Sequence, residues 1–141
     1  MPYQIVEHTA DMRMRVWGKD LEELFRAGVS AVMELIKPEK TRPAPPPAGP
    51  SLKTRQVVLA SQDTTSLLVD FLNAVITSTH INKEIYTQVK FARLSPTELK
   101  AELAAEKVEE FKEDIKAVTY HEAEVKQAAS GDWETVLVFD I

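Results

Sequence analysis

Two aspartates at opposite ends of the chain carry the first hint of chemistry. Asp11 follows His8 in a short Thr9-Ala10-Asp11 turn, and Asp140 is the penultimate residue, closing the apolar run Val136-Leu137-Val138-Phe139. The sequence ends at Ile141, so an α-carboxylate lies one residue from the Asp140 side chain. Neighbouring strands lie only about 4.8 Å apart, so three carboxylates converge if the N-terminal strands pair beside the last one. Such a cluster cannot stay fully ionised without a cation, and hard oxygen donors suit Ca²⁺, Mg²⁺ or Mn²⁺ rather than zinc. The plainer reading is that Asp11 caps a turn and Asp140 belongs to a solvated tail. The residues alone leave both open.

Other routes to chemistry are poorly supplied. The chain has no cysteine, which removes disulfides, thiolate zinc sites and thiol nucleophiles together. His8, His80 and His121 are scattered with no i, i+4 pair, so a zincin-type site has no support, and His8 and His121 read as structural residues. None of the four glycines falls in a phosphate-loop or dinucleotide spacing. Seventeen basic residues against 22 acidic ones give a net charge of −5 with no basic stripe, so strong direct nucleic-acid binding is not expected. The densest charge cluster, Glu106 to Asp114, reads as a solvated loop or short helix, the alternative being a surface offered to a basic partner.

The elements that must position these residues follow from periodicity. Tyr3 to His8 and Met12 to Trp17 read as strands, the second alternating Met12, Met14 and Val16 against Arg13 and Arg15. Asp20 is a good N-cap with Glu23 three residues on, and the helix it opens runs to about Ile36. Its apolar stripe is Leu21, Leu24, Phe25, Gly28, Val32, Leu35 and Ile36. Pro38 ends it. Arg42 to Pro50 then holds five of the chain's eight prolines and reads as an extended insert within a single domain of 1–141. After a strand from about Lys53 to Ala60, Asp63 caps a second helix in which Leu67/Leu68, Phe71/Leu72 and Val75/Ile76 recur every fourth residue. Glu84 to Leu94, Glu98 to Ala105, Ile115 to Val125 and Thr135 to Ile141 are strand-like. Helices early and strands late imply an α+β domain: a mostly antiparallel sheet with two helices on one face. No basic, apolar leader opens the chain and no apolar run approaches a membrane span, so a cytoplasmic location is expected.

Four of these segments together resemble the archease family. They are His8-Thr9-Ala10-Asp11 followed by Gly18 and the Leu21-Glu22-Glu23-Leu24-Phe25 helix, then Leu67-Leu68-Val69-Asp70-Phe71-Leu72-Asn73 in the central helix. Ile115-Lys116-Ala117-Val118-Thr119-Tyr120-His121 is similar to the family's Lys-Ala-x-Thr-Tyr strand, and Val138-Phe139-Asp140-Ile141 to its terminal aspartate and last aliphatic residue. The resemblance implies an SHS2-like fold with a family-specific insertion, and a divalent cation, Ca²⁺ first with Mg²⁺ or Mn²⁺ as alternatives, held by Asp11, Asp140 and the Ile141 terminus. It implies that Lys116 presents a positive charge close to that cation, and leaves Thr119 and Tyr120 ambiguous between packing and site. It also implies a non-enzymatic role, promoting guanylylation and multiple turnover of an RtcB-type, GTP-dependent tRNA-splicing RNA ligase. The chain departs from the family pattern at Ala105-Glu106 and Phe111, where a Gly-Glu pair and a histidine are common, and Glu34 is the nearest match to an acidic residue ending the first helix. Rival readings are a chaperone or binding module for another RNA-processing enzyme, such as a tRNA methyltransferase, and, behind it, a metal-dependent hydrolase.

Overall fold

The computed structural model describes residues 2–8, 12–36, 53–112, 114–120 and 123–141, with only the backbone of residues 4–8. The Thr9-Ala10-Asp11 turn, the proline-rich insert and His121 lie outside the described residues. Alternation of apolar and polar side chains makes β1 (Tyr3–His8) and β2 (Met12–Gly18) an antiparallel pair. Gly18 ends β2 against the following helix, where a Cβ would lie 2.5 Å from the Leu24 backbone nitrogen, so the chain turns there only without a side chain. Helix α1 (Leu21–Ile36) starts as the sequence implies, with the Asp20 carboxylate accepting from the Glu23 N–H at 2.8 Å. Its apolar stripe is wider than the spacing suggests, since Ala27, Val29, Ala31 and Met33 are buried as well.

The reason is a second sheet. Strands β3 (Thr54–Ala60), β5 (Glu98–Lys107) and β4 (Glu84–Leu94) form an antiparallel sheet in the order β3-β5-β4. Between β3 and β4, α2 (Thr64–Asn82) opens on Asp63, whose carboxylate accepts from the Ser66 N–H at 2.7 Å. It closes on Lys83 in the left-handed region at φ 53, whose N–H reaches the Thr79 carbonyl. The antiparallel α+β architecture expected from element order is present, but its strands divide into two sheets. Each helix touches both: α1 packs on β2, β4 and the last strand, β8 (Trp133–Asp140), and α2 on β3, β4, β5 and a short strand, β6 (Ala117–Thr119). Phe25, Phe71 and Phe91 join α1, α2 and β4, with ring centroids 6.0 to 6.4 Å apart.

The first sheet is completed from the far end of the chain. Its order is β1-β2-β8-β6, with β8 (Trp133–Asp140) in the interior and a two-residue β7 (Lys126–Gln127) also paired to β8. The long strand expected over Ile115 to Val125 is not formed; only β6 (Ala117–Thr119) joins the ladder, and 120, 123–125 have no strand pairing. The cause is competition for backbone groups. Side chains of α2 hold this segment instead: His80 Nε2 lies 2.8 Å from the Ile115 carbonyl, Asn73 bonds Val118, and Thr65 Oγ1 accepts from the Val125 N–H at 2.9 Å. Of the acidic cluster, Glu106 and Lys107 end β5. Residues 108–112 cross the ends of both helices, with the Lys112 N–H on the Ile36 carbonyl and the Val108 N–H on the Lys83 carbonyl.

Candidate functional site

The place where sequence reasoning puts a cluster is the C-terminal end of β8. Two neighbours frame it. On one side the ladder to β2 runs from Gly18↔Trp133 to Met12↔Phe139, one step short of Asp140. On the other, β6 pairs Thr119↔Val138, Val118↔Phe139 and Ala117↔Asp140, and the Lys116 N–H continues it to the Asp140 carbonyl at 2.8 Å. The pairing of the N-terminal strands beside the last strand, on which convergence of the carboxylates depends, is therefore present. Asp11 itself lies outside the described residues.

Phe139 and Leu137 are fully buried on the helix side of β8, so alternation sends the Asp140 side chain to the other face, where it is exposed. Ile141 is 39% exposed, and Lys116 is exposed and makes no ion pair among the described residues. Thr119 shares a face with Asp140, two residues from Ala117. Its Oγ1 is buried without a hydrogen-bond partner among the described residues. The ligand that the described residues place at this end is the Asp140 carboxylate, a hard oxygen donor of the kind that suits Ca²⁺, Mg²⁺ or Mn²⁺. Among the described residues no group of three or more His, Cys, Asp or Glu side chains gathers, so a complete set depends on Asp11.

Tyr120, ambiguous from sequence, is 56% exposed, and its hydroxyl donates to Asp70 on α2. The same carboxylate accepts from Ser61 Oγ at 2.7 Å. The hydrogen bond to Asp70, then desolvation and the Asp70 and Asp63 charges, raise the Tyr120 pKa above its usual value. His80 is a structural residue: besides the Ile115 carbonyl it meets the edge of Phe111 at 5.4 Å, with Asp114 at 3.8 Å.

Sequence reasoning missed the polar row of α2, in which Thr65, Asp70, Asn73 and His80 hold successive parts of residues 115–125. The signal was present as polar residues breaking an otherwise apolar helix at spacings of three to seven. It also missed the buried charge of the second sheet. Glu84 is fully buried and accepts two bonds from Arg55, at 2.9 and 3.0 Å. Those bonds hold its carboxyl below the usual glutamate value against the opposing pull of burial. A groove of about 730 Å³ between α1 and β4, lined by Tyr3, Arg26, Met33, Glu34, Tyr86 and Lys90 among others, contains none of the residues near Asp140.

Comparison with known proteins covers almost the whole molecule. Residues 3–141 match the model of the Archease protein family. The chain is 32% identical to the archease of Pyrococcus abyssi, covering 96% of this chain and 95% of that protein. It is 30% identical to the archease of Methanosarcina mazei, covering 99% and 95%. In fold it is similar to protein 1598 of Methanobacterium thermoautotrophicum, with a TM-score of 0.74, 22% identity and 99% of each chain covered. A crystal structure of a Thermotoga maritima archease gives a TM-score of 0.68 at 21% identity, covering 98% of this chain and 96% of that one.

Proposed function

This chain belongs to the archease family, and on that footing we propose that it is a metal-binding accessory protein that promotes guanylylation and repeated turnover of an RtcB-type, GTP-dependent RNA ligase. The observation that supports the reading is the β2-β8-β6 ladder. It sets the carboxylate-bearing end of β8 between the start of β2 and the strand that follows Lys116. Asp11, Asp140 and the Ile141 terminus would hold the cation, Ca²⁺ first, with Mg²⁺ and Mn²⁺ as alternatives. When bound, the ion supplies positive charge of the kind that steadies phosphate oxygens. Lys116, exposed and with its backbone N–H on the Asp140 carbonyl, adds a second positive charge at the same end.

The location that goes with this role is the cytoplasm; no described helix is long and apolar enough to cross a membrane. Asp140→Asn removes a full negative charge while keeping shape. Extending the chain beyond Ile141 moves the terminal charge away and leaves both aspartates in place. Each variant is expected to stay folded by circular dichroism, to bind Ca²⁺ or Mn²⁺ more weakly by calorimetry, and to fail to stimulate guanylylation of the ligase. Normal stimulation by the Asp140→Asn protein would overturn the metal-centred role and favour a binding module for another RNA-processing enzyme.

A further inference from the structure

Strand β6 has three residues and lies at the edge of its sheet, yet it flanks the end of β8 that carries Asp140. So short an edge strand has few ladder bonds and cross-strand contacts with which to hold its register. Its second neighbour is a side chain. Asn73 on α2 donates from Nδ2 to the Val118 carbonyl at 2.9 Å and accepts at Oδ1 from the Val118 N–H at 2.7 Å. These are the two bonds that an antiparallel partner would exchange with that residue, so one carboxamide stands in for a further strand. The task needs a donor and an acceptor side by side on one planar group, which an ionised aspartate lacks.

Register is what this bond pair protects. With Val118 opposite Phe139, Ala117 faces Asp140 and the Lys116 N–H reaches the Asp140 carbonyl. A slip of one residue would exchange the two faces of β6 and carry Lys116 away from its place. Asp70 and Thr65 hold the chain after β6, and His80 holds the chain before it; among these four side chains, only Asn73 bonds β6 itself. We infer that Asn73 is the positioning residue of the Lys116–Asp140 end, locking β6 in register on β8 so that the carboxylate-bearing end of β8 is held between two strands. The inference rests on the metal-binding role proposed above and names the helix residue that sets up that site.

The test compares Asn73→Ala, Asn73→Asp and Asp140→Asn, using Mn²⁺ binding by calorimetry and amide hydrogen exchange by NMR at a temperature where all are folded. Asn73→Ala is expected to speed exchange at the Val118 and Lys116 amides by about tenfold or more, leaving Leu103 in β5 unchanged. Fraying of the Asp140 end of β8 should weaken Mn²⁺ binding by roughly fivefold or more, whereas Asp140→Asn weakens binding without the exchange change. Asn73→Asp should behave like the alanine variant at neutral pH. Acidification protonates its carboxyl, restores the donor and raises the protection of Val118 relative to its intrinsic exchange rate at each pH, a response that a packing role would not produce. Should the alanine variant fail to fold, Asn73→Ser takes its place with the same expectation. Unchanged Mn²⁺ binding in the Asn73 variants, with Asp140→Asn weakened, overturns the positioning role alone. Unchanged binding in Asp140→Asn overturns the metal role itself, and the inference with it.

Discussion

Asp140 was legible as a residue of interest because it interrupts an apolar run at a strand end, and Lys116 because it sits in a motif that resembles a family pattern. Asn73 was not, although its neighbours were read correctly. A search for apolar periodicity counts Phe71, Leu72, Val75 and Ile76 and passes over the polar position between Leu72 and Val75, whose value appears only once β6 is set against it. Glu84 escaped for a similar reason: nothing in Lys83-Glu84-Ile85 reveals that Arg55 will reach it across the sheet. The pair makes a pH-dependent contribution whose sign is fixed. Glu84 has its folded pKa depressed below 4.5, mainly by the Arg55 bonds, so on acidification the unfolded chain takes up the proton first. Its stabilisation is complete above that value and is lost as the pH falls through the folded pKa. In urea titrations across that range, Glu84→Gln should therefore flatten the acid limb of the stability curve, and an unchanged slope would mean that other carboxylates govern it.

At the scale of elements, both helices and their N-caps were readable because each rests on local rules: a capping carboxylate and a repeat of three and four. Strand existence was readable for β1 to β5 and β8. The division into two sheets was not, since alternation says which face of a strand is buried but not which strand lies beside it. The shortening of 115–125 to β6 was equally hidden, because the competing partner is a helix side chain. Two substitutions test the elements as described. Phe71→Ala removes the central ring of the Phe25, Phe71 and Phe91 cluster and should cost about 3–5 kcal/mol in chemical denaturation. A loss below about 1 kcal/mol would contradict its place in the core. Gly18→Ala forces a Cβ into the first turn of α1 and should cost roughly 1–3 kcal/mol by the same measurement.

For the whole molecule, a hydrophobic core shared by both helices and both sheets predicts that the proline-rich insert is dispensable to folding. Deleting Ala44 to Gly49 should leave the denaturation midpoint within the equivalent of about 1 kcal/mol, since loop closure depends weakly on length. Collapse of the fold on deletion would show that the insert is packed structure. The interior place of β8 has another consequence, for the order in which the molecule can assemble. The second sheet is made from segments close together in sequence and can form while synthesis continues. The first cannot: Arg15 and Glu134, which meet across β2 and β8, are 119 positions apart. Met14 and Val16, which leave the ribosome long before their partner strand, must wait uncovered for Leu137 and its neighbours to emerge. The N-terminal hairpin is thus the part of the nascent chain most exposed to mispairing, and closing the sheet is a late, long-range step expected to limit the folding rate. Loss of the last strand would leave β2 and β6 without their common partner, so a chain cut short by even its final ten residues should accumulate as an aggregation-prone intermediate holding only half its sheets.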